Sequence, residues 1–319
     1  MSKVAVVLGA GGFIGSHLVK RLKKEGYWVR GVDLKYPEFS PTEADHFMIA
    51  DLRLLNEVDT VLSHGVEEVY QLAADMGGAG YIFTGENDHK IINNNTLINL
   101  YVARRALDIG AKVFFSSSAC VYPEYNQKDP DNPNCSEDSV YPANPDSEYG
   151  WEKLFSERMY LTYRRFGLNV CIARFHNIYG PEGAWNDGRE KAPAALCRKI
   201  AQAKNGGEIE VWGDGNQTRS FLYIDECLEG IRRMMLYEQS LPPLNVGSEE
   251  MVTINQLAEM IANIAGKNIK IKHIPGPTGV RGRCSDNKLI SEFLNWEPEY
   301  SLHTGLIETY SWINNKVHE

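Results

Sequence analysis

Three sets of residues in this 319-residue chain have types and spacing that could do chemistry. Gly9, Gly12 and Gly15 form a G-x-x-G-x-x-G turn behind the β-branched run Val4–Leu8 and ahead of a stretch with helical spacing of Ile14, Leu18 and Leu22. Glycine is needed there because the backbone must turn sharply, approach a pyrophosphate closely and let the helix pack on the sheet. Asp33 ends the second expected strand, 24 residues after Gly9. A carboxylate in that place accepts hydrogen bonds from adenosine ribose hydroxyls and repels a 2′-phosphate, so NAD is the expected cofactor. Phe13, Ile14, Asp51, Leu52 and Ala73 fall along the same edge, and the plainer alternative for Asp33 is a cap on the next turn.

The second set is Tyr149 and Lys153, a Y-x-x-x-K pair that helical i, i+4 spacing puts on one face. A Lys ammonium beside the phenol, with a positive nicotinamide, favours the phenolate and makes Tyr149 a usable base. Ser118, at the end of a strand expected over 113–117, supplies a hydroxyl donor. The third set is Cys120 and Lys191. A thiol two residues beyond Ser118 faces the same site and can exchange protons with a carbon acid if its proton affinity is lowered. Read alone, Cys120 is a small buried strand-end residue, and Lys191, just before a helix opened by Pro193, is a solvated surface charge.

These residues need a scaffold that alternates strands and helices. Strands are expected at Val4–Leu8, 28–32, 47–49, 68–73, 113–117 and 170–174, with helices over 13–25, 56–63, 92–109 and from Ser147 onward. Five prolines between Pro123 and Pro145 mark a loop. Beyond Pro181 the alternation becomes irregular. The expected architecture is α/β: a Rossmann-type doubly wound parallel sheet with a smaller, partly discontinuous α/β C-terminal substrate domain. The boundary is placed at 1–177 and 178–319, with part of 218–248 completing the first domain.

Bulk composition narrows the function. With 43% hydrophobic and 24% charged residues the chain is an ordinary globular one. A net charge of -9 argues against a nucleic-acid partner, although a local basic pocket for one diphosphate is compatible with it. Six cysteines at 120, 135, 171, 197, 227 and 284 contain no C-x-x-C pair, so neither a metal site nor a disulfide framework is expected. There is no apolar run of 18 residues, and a cytoplasmic protein without membrane contact is expected.

Ser118, Tyr149 and Lys153 behind the glycine turn resemble the extended short-chain dehydrogenase/reductase family across essentially the whole chain. The resemblance implies an NAD domain and a nucleotide-sugar domain, a Tyr that takes a proton from a sugar hydroxyl, and a Lys that holds the nicotinamide ribose. Family dehydratases carry Asp-Glu where this chain has Ala119 and Cys120, and 4-epimerases carry Thr at the place of Cys120. The segments LAADMGGAGYI, SSSACVYPE, RFHNIYGPEG, GREKAPAA, WGDGNQTRSF and HIPGPTGVRGR are similar to the branch acting on GDP-mannose. That similarity implies transient oxidation at C4 and proton exchange by Cys120 and Lys191 at C5 and then C3. Re-reduction then gives GDP-L-galactose, or GDP-L-gulose if C5 alone inverts. It further implies substrate contacts at Gly78, Ser118, Ala119, Cys120, Asn177, Glu190, Lys191, Ala192, Lys199, Gln217, Thr218, Arg219 and Arg283, and a homodimer through the helices over 92–109 and 147–166. A 4-epimerase of the same family and a catalytically silent NAD-binding regulator are the alternatives.

Overall fold

The computed structural model describes residues 2–319. The first half runs β1 (Val4–Leu8), α1 (Phe13–Lys24), β2 (Trp28–Asp33), β3 (His46–Ile49), α2 (Leu55–Val61), β4 (Glu68–Gln71), α3 (Ala79–Ile82), α4 (Asp88–Ile109), β5 (Lys112–Ser118), α5 (Glu148–Arg165) and β6 (Val170–Phe175). The second half continues with β7 (Ile178–Tyr179), α6 (Ala192–Gln202), β8 (Glu208–Trp212), β9 (Thr218–Ser220), β10 (Leu222–Tyr223), α7 (Ile224–Leu236) and β11 (Leu244–Val246). It ends in β12 (Met251–Thr253), α8 (Ile254–Ile264), β13 (Lys270–Ile274), β14 (Gly282–Arg283), α9 (Lys288–Leu294) and α10 (Leu302–His318).

The main sheet has seven strands in the order β11-β6-β5-β4-β1-β2-β3, and each neighbouring pair is parallel. Chain direction across the sheet reverses between β1 and β4, so a crevice opens at the carboxyl ends of these two strands. Side chains alternate faces along each strand. Val6, Leu8, Val69, Val113 and Phe115 pack with Val58, Ile98, Val102 and Tyr160 of α2, α4 and α5. Ala5, Val7, Tyr70, Phe114 and Ala173 pack on the other side with Leu18, Leu22, Ile231 and Met234 of α1 and α7. Each face alone would expose a row of apolar side chains; helices on both sides remove both rows from water.

Residues beyond β6 build three small sheets, β10-β7, β12-β9-β14 and β13-β8, next to α6, α8 and α10. The chain returns to the main sheet through β11, whose Leu244, Asn245 and Val246 pair with Ala173, Arg174 and Phe175. Among the described residues no helix is long and apolar enough to cross a membrane.

Candidate active site

The glycine turn is shaped by close approach. Gly9 has φ +87°, and a Cβ there would lie 2.8 Å from the Ala73 nitrogen; at Gly15 it would lie 2.0 Å from the Gly9 carbonyl oxygen. The amino end of α1 carries no acidic residue in its first turn and no side-chain cap, so its N–H groups face the crevice unclaimed. Such an end suits an anion. Asp33 accepts from the Gly11 nitrogen at 3.0 Å and the Leu34 nitrogen at 2.7 Å. It thus caps the following turn and lines the crevice at once, and burial raises its proton affinity. Asp51 is held by Arg53 at 2.6 Å, which keeps its carboxyl below the ordinary value. Phe13, Ile14, Leu52 and Ala73 line the same cleft, so the residues present fit NAD.

The cleft has a volume of about 1440 Å³ and continues from this turn past Ser118, Ala119, Cys120, Tyr149 and Lys153 to Lys191, Lys199, Gln217 and Arg219. Strand β5 ends at Ser118, whose hydroxyl accepts from the Cys120 backbone nitrogen at 3.2 Å and so starts a single 3-10 turn over Ala119–Val121. Ser147 caps α5 by accepting from the Gly150 nitrogen at 3.3 Å. A Cβ on Gly150 would stand 2.2 Å from the Cys120 carbonyl oxygen, so only glycine lets α5 press against that turn. This contact puts Tyr149 in one apolar cluster with Cys120, Ile82 and Ile91.

Lys153 is buried; it donates to the Ser116 carbonyl at 2.9 Å and lies 5.7 Å from the Tyr149 ring centroid. Burial lowers its proton affinity, opposed by the carboxylates of Glu152 and Glu157. Glu152 accepts from Asn95 at 3.1 Å, Asn99 at 3.2 Å and Ser156 at 2.6 Å. Lys153 was expected to favour ionisation of the Tyr149 phenol together with a positive nicotinamide, and its ammonium does lie beside that phenol. Burial holds that phenol well above its ordinary value, the charges of Cys120 and Glu152 add to this, and only the Ser118 hydroxyl favours the phenolate.

Cys120 is buried at the cleft wall, and Arg283 donates to its sulfur at 3.2 Å. Arg283 was expected at the sugar or nucleotide; its guanidinium is turned to Cys120, Gln127 and Asp146 as well as lining the cleft. Lys191 occupies the N-cap position of α6 without a side-chain cap and is half-buried, not a solvated charge. Burial lowers its proton affinity, and the charges of Cys120 and Cys227 act in the opposite sense. The Lys191 segment is fixed by Gly78, whose nitrogen donates to the Arg189 carbonyl at 2.9 Å and whose absent Cβ would meet the Glu190 carbonyl oxygen at 2.4 Å.

Other expected contacts divide. Glu190 pairs with Arg198 at 2.8 Å and accepts from the Gly188 nitrogen at 2.7 Å, so its carboxylate is used within the cleft wall. Lys199 donates to the Glu210 carbonyl at 2.6 Å, and Ala192 lines the cleft beside it. Asn177 takes a left-handed φ of 46° and donates to the Ser220 carbonyl at 2.9 Å. Arg219 donates to the carbonyls of Thr218, Thr278 and Val280 at 2.7, 3.0 and 2.7 Å and to no carboxylate. Burial, and next Arg283, bring its proton affinity down to about 9. Gln217 has a buried Oε1 without a partner. Thr218 alone is not brought to the cleft; its hydroxyl is given to the Pro130 carbonyl. Gln127, Asp146, Gly150 and Glu152 were not among the expected residues. Gly150 had a visible signal, a glycine inside Y-x-x-x-K, whereas the others lie in the Pro-rich loop or beside Lys153 without a pattern.

A family model described as the NAD dependent epimerase/dehydratase family matches residues 5–247. The GDP-mannose 3,5-epimerase of Arabidopsis thaliana is 46% identical over 316 residues, covering 98% of this chain and 82% of its own. GDP-mannose 3,5-epimerase 1 of Oryza sativa subsp. japonica is 45% identical with the same coverage, 98% and 82%. Among solved structures, the UDP-glucuronic acid 4-epimerase of Bacillus cereus in complex with UDP-glucuronic acid and NAD is 26% identical. It superposes with a TM-score of 0.83, covering 98% of this chain and 99% of that one. The UDP-glucose 4-epimerase of Thermotoga maritima with UDP-glucose is 25% identical with a TM-score of 0.84 and coverage of 98% and 99%. The chain is an enzyme that belongs to the NAD dependent epimerase/dehydratase family, within the extended short-chain dehydrogenases/reductases, and its cofactor is NAD.

Proposed function

We propose that this enzyme epimerises GDP-mannose at C3 and C5, forming GDP-L-galactose, with GDP-L-gulose when C5 alone inverts. The observation that carries the reading is that Cys120 and Lys191 line one cleft with Ser118, Tyr149 and Lys153. The 46% identity to the Arabidopsis 3,5-epimerase supports it.

NAD, when bound, supplies reversible hydride transfer at C4 of the sugar and a positive ring near the phenol. Tyr149 takes and later returns the proton of the C4 hydroxyl, with Ser118 donating to the same oxygen and Lys153 holding the ribose side. A ketone at C4 makes the C3 and C5 protons acidic, because the carbanion is delocalised onto oxygen. Cys120 and Lys191 then remove and deliver protons on opposite faces, at C5 first and C3 second. Arg283 donates to the Cys120 sulfur and so fixes the direction in which the thiol faces the cleft. Arg219, an arginine without a hydrogen-bonded carboxylate, suits the diphosphate, and the unpartnered Gln217 Oε1 suits a hydrogen-bond donor of the nucleotide-sugar.

Residues 1–177, completed by part of 218–248, are assigned to NAD, and 178–319 to the nucleotide-sugar. We assign the assembly as a homodimer through α4 and α5 and the site of action as the cytoplasm, where six free thiols are at home. The test of the reaction is product identity. The NAD-loaded protein is incubated with GDP-mannose and the sugars are resolved by proton NMR. GDP-L-galactose is expected; a product inverted at C4 alone would replace the reading by a 4-epimerase, and no product by the silent regulator.

A further inference from the structure

Arg283 is the only hydrogen-bonding side chain on the Cys120 sulfur among the described residues, and its own orientation has a cause. Gln127 is buried at 0% exposure, and its Nε2 donates to the carbonyls of Tyr122 at 3.0 Å and Pro123 at 3.2 Å. The amide can therefore present only its oxygen to the cleft side, and that oxygen accepts from Arg283 Nε at 2.6 Å. Asp146 takes a second edge, accepting from Nη2 at 3.4 Å, with both side chains 7% exposed. A planar guanidinium fixed at Nε and Nη2 has one remaining direction, and Nη1 points along it to the sulfur at 3.2 Å. Backbone packing supports the same arrangement, since a Cβ on the neighbouring Gly282 would lie 2.5 Å from the Asp129 carbonyl oxygen.

We propose that Gln127 and Asp146 are positioning residues that aim Arg283 at Cys120 and so set how readily this thiol gives up its proton. Gln127 does it without charge, by holding the cation in place. Asp146 holds the cation too, but its own negative charge offsets part of the effect. The two therefore act on the thiol with opposite sign once their geometry is kept. The other charged and titratable groups facing Cys120 are Lys153, Lys191, Arg219 and Tyr149, and the nearby Tyr81 gives its hydroxyl to Asp75 at 2.7 Å. None of them is hydrogen-bonded to the sulfur, which leaves the Arg283 contact as the one a neutral amide can control. The proposal deepens the reading of Cys120 as a proton-exchanging group and rests on it.

The test is the pH dependence of Cys120 alkylation by iodoacetamide in the NAD-loaded protein, followed by peptide mass so that the other cysteines do not enter. Gln127→Met, which keeps length and loses the acceptor, is expected to raise the alkylation midpoint by about one pH unit, the scale of an opposite charge moved away from a titrating group. Asp146→Asn keeps an acceptor for Arg283 and is expected to lower the midpoint. In single turnover with GDP-mannose at neutral pH, Gln127→Met should slow deuterium exchange at C3 and C5 about tenfold while NADH formation keeps its wild-type rate. Midpoints unchanged, or moved in the same direction by both variants, overturn the proposal. If Gln127→Met does not fold, the direction of the Asp146→Asn shift decides alone. Shifted midpoints with undiminished exchange leave the brace standing and sink the proton-exchange reading of Cys120, so the two failures are distinct.

Discussion

At the scale of the residue, Tyr149 is caught between burial and charge. Its phenol is held protonated by an apolar surrounding and by the nearby Glu152 carboxylate, while Lys153 is engaged with the Ser116 carbonyl and is not hydrogen-bonded to it. Positive charge brought beside the ring, as a bound nicotinamide would supply, favours loss of that proton. Tyr149→Phe is accordingly expected to lose GDP-mannose turnover by a factor of at least about 100 to 10,000, the usual worth of a positioned base. The variant should retain NAD, because the glycine turn, Asp33 and Lys153 are untouched. Product formation and NAD released on denaturation are the two readouts, and near wild-type turnover would remove Tyr149 from its role. Ser118, Tyr149, Lys153 and Cys120 were legible in the chain because their relations are local: two residues along a strand end, four along a helix. Gln127 and Asp146 were not, since they meet Arg283 across 156 and 137 residues of sequence and follow no period.

At the scale of the element, the sequence pattern located every strand of the first half and misjudged ends. Helix α4 begins at Asp88, earlier than the expected 92, because Asp88, His89 and Lys90 precede the first buried apolar side chain, Ile91, and offer no apolar stripe. Strand β4 ends at Gln71 although Leu72 and Ala73 continue the apolar run; there the backbone turns past Gly9, whose Cβ site is filled by Ala73. Helices α4 and α5 pack on one another and leave Ile92, Leu100, Trp151 and Phe155 exposed at 36%, 37%, 42% and 54%. Apolar side chains of this size on adjacent helices fit a self-complementary interface, in which each copy covers the other. Light scattering at micromolar concentration is expected to report a dimer for the wild type and a monomer for Phe155→Asp with its α-helical circular dichroism intact. A wild-type monomer would end the dimer assignment.

At the scale of the whole molecule, a chain of net charge -9 gathers Lys153, Lys191, Lys199, Arg219 and Arg283 along one cleft. Long-range repulsion and local attraction thus coexist, and the second suits an anionic group inside the cleft. The parallel sheet was legible from alternation, but the return of β11 to its edge was not explicit, because three residues are too few to show a period. Likewise β9 and β14 meet side by side only in the folded chain, and this meeting brings Arg219 and Arg283 together. The cleft is a product of that long-range assembly, with Cys120 and Lys191 on its wall. The decisive measurement is deuterium incorporation from heavy water into GDP-mannose at C3 and C5, comparing wild type with Cys120→Ala and Lys191→Ala. Label at both carbons is expected for the wild type. Each variant should form NADH in single turnover yet lose label at both carbons by a factor of about 100 to 10,000. Wild-type labelling in either variant, or label at neither carbon in the wild type, would contradict the assignment.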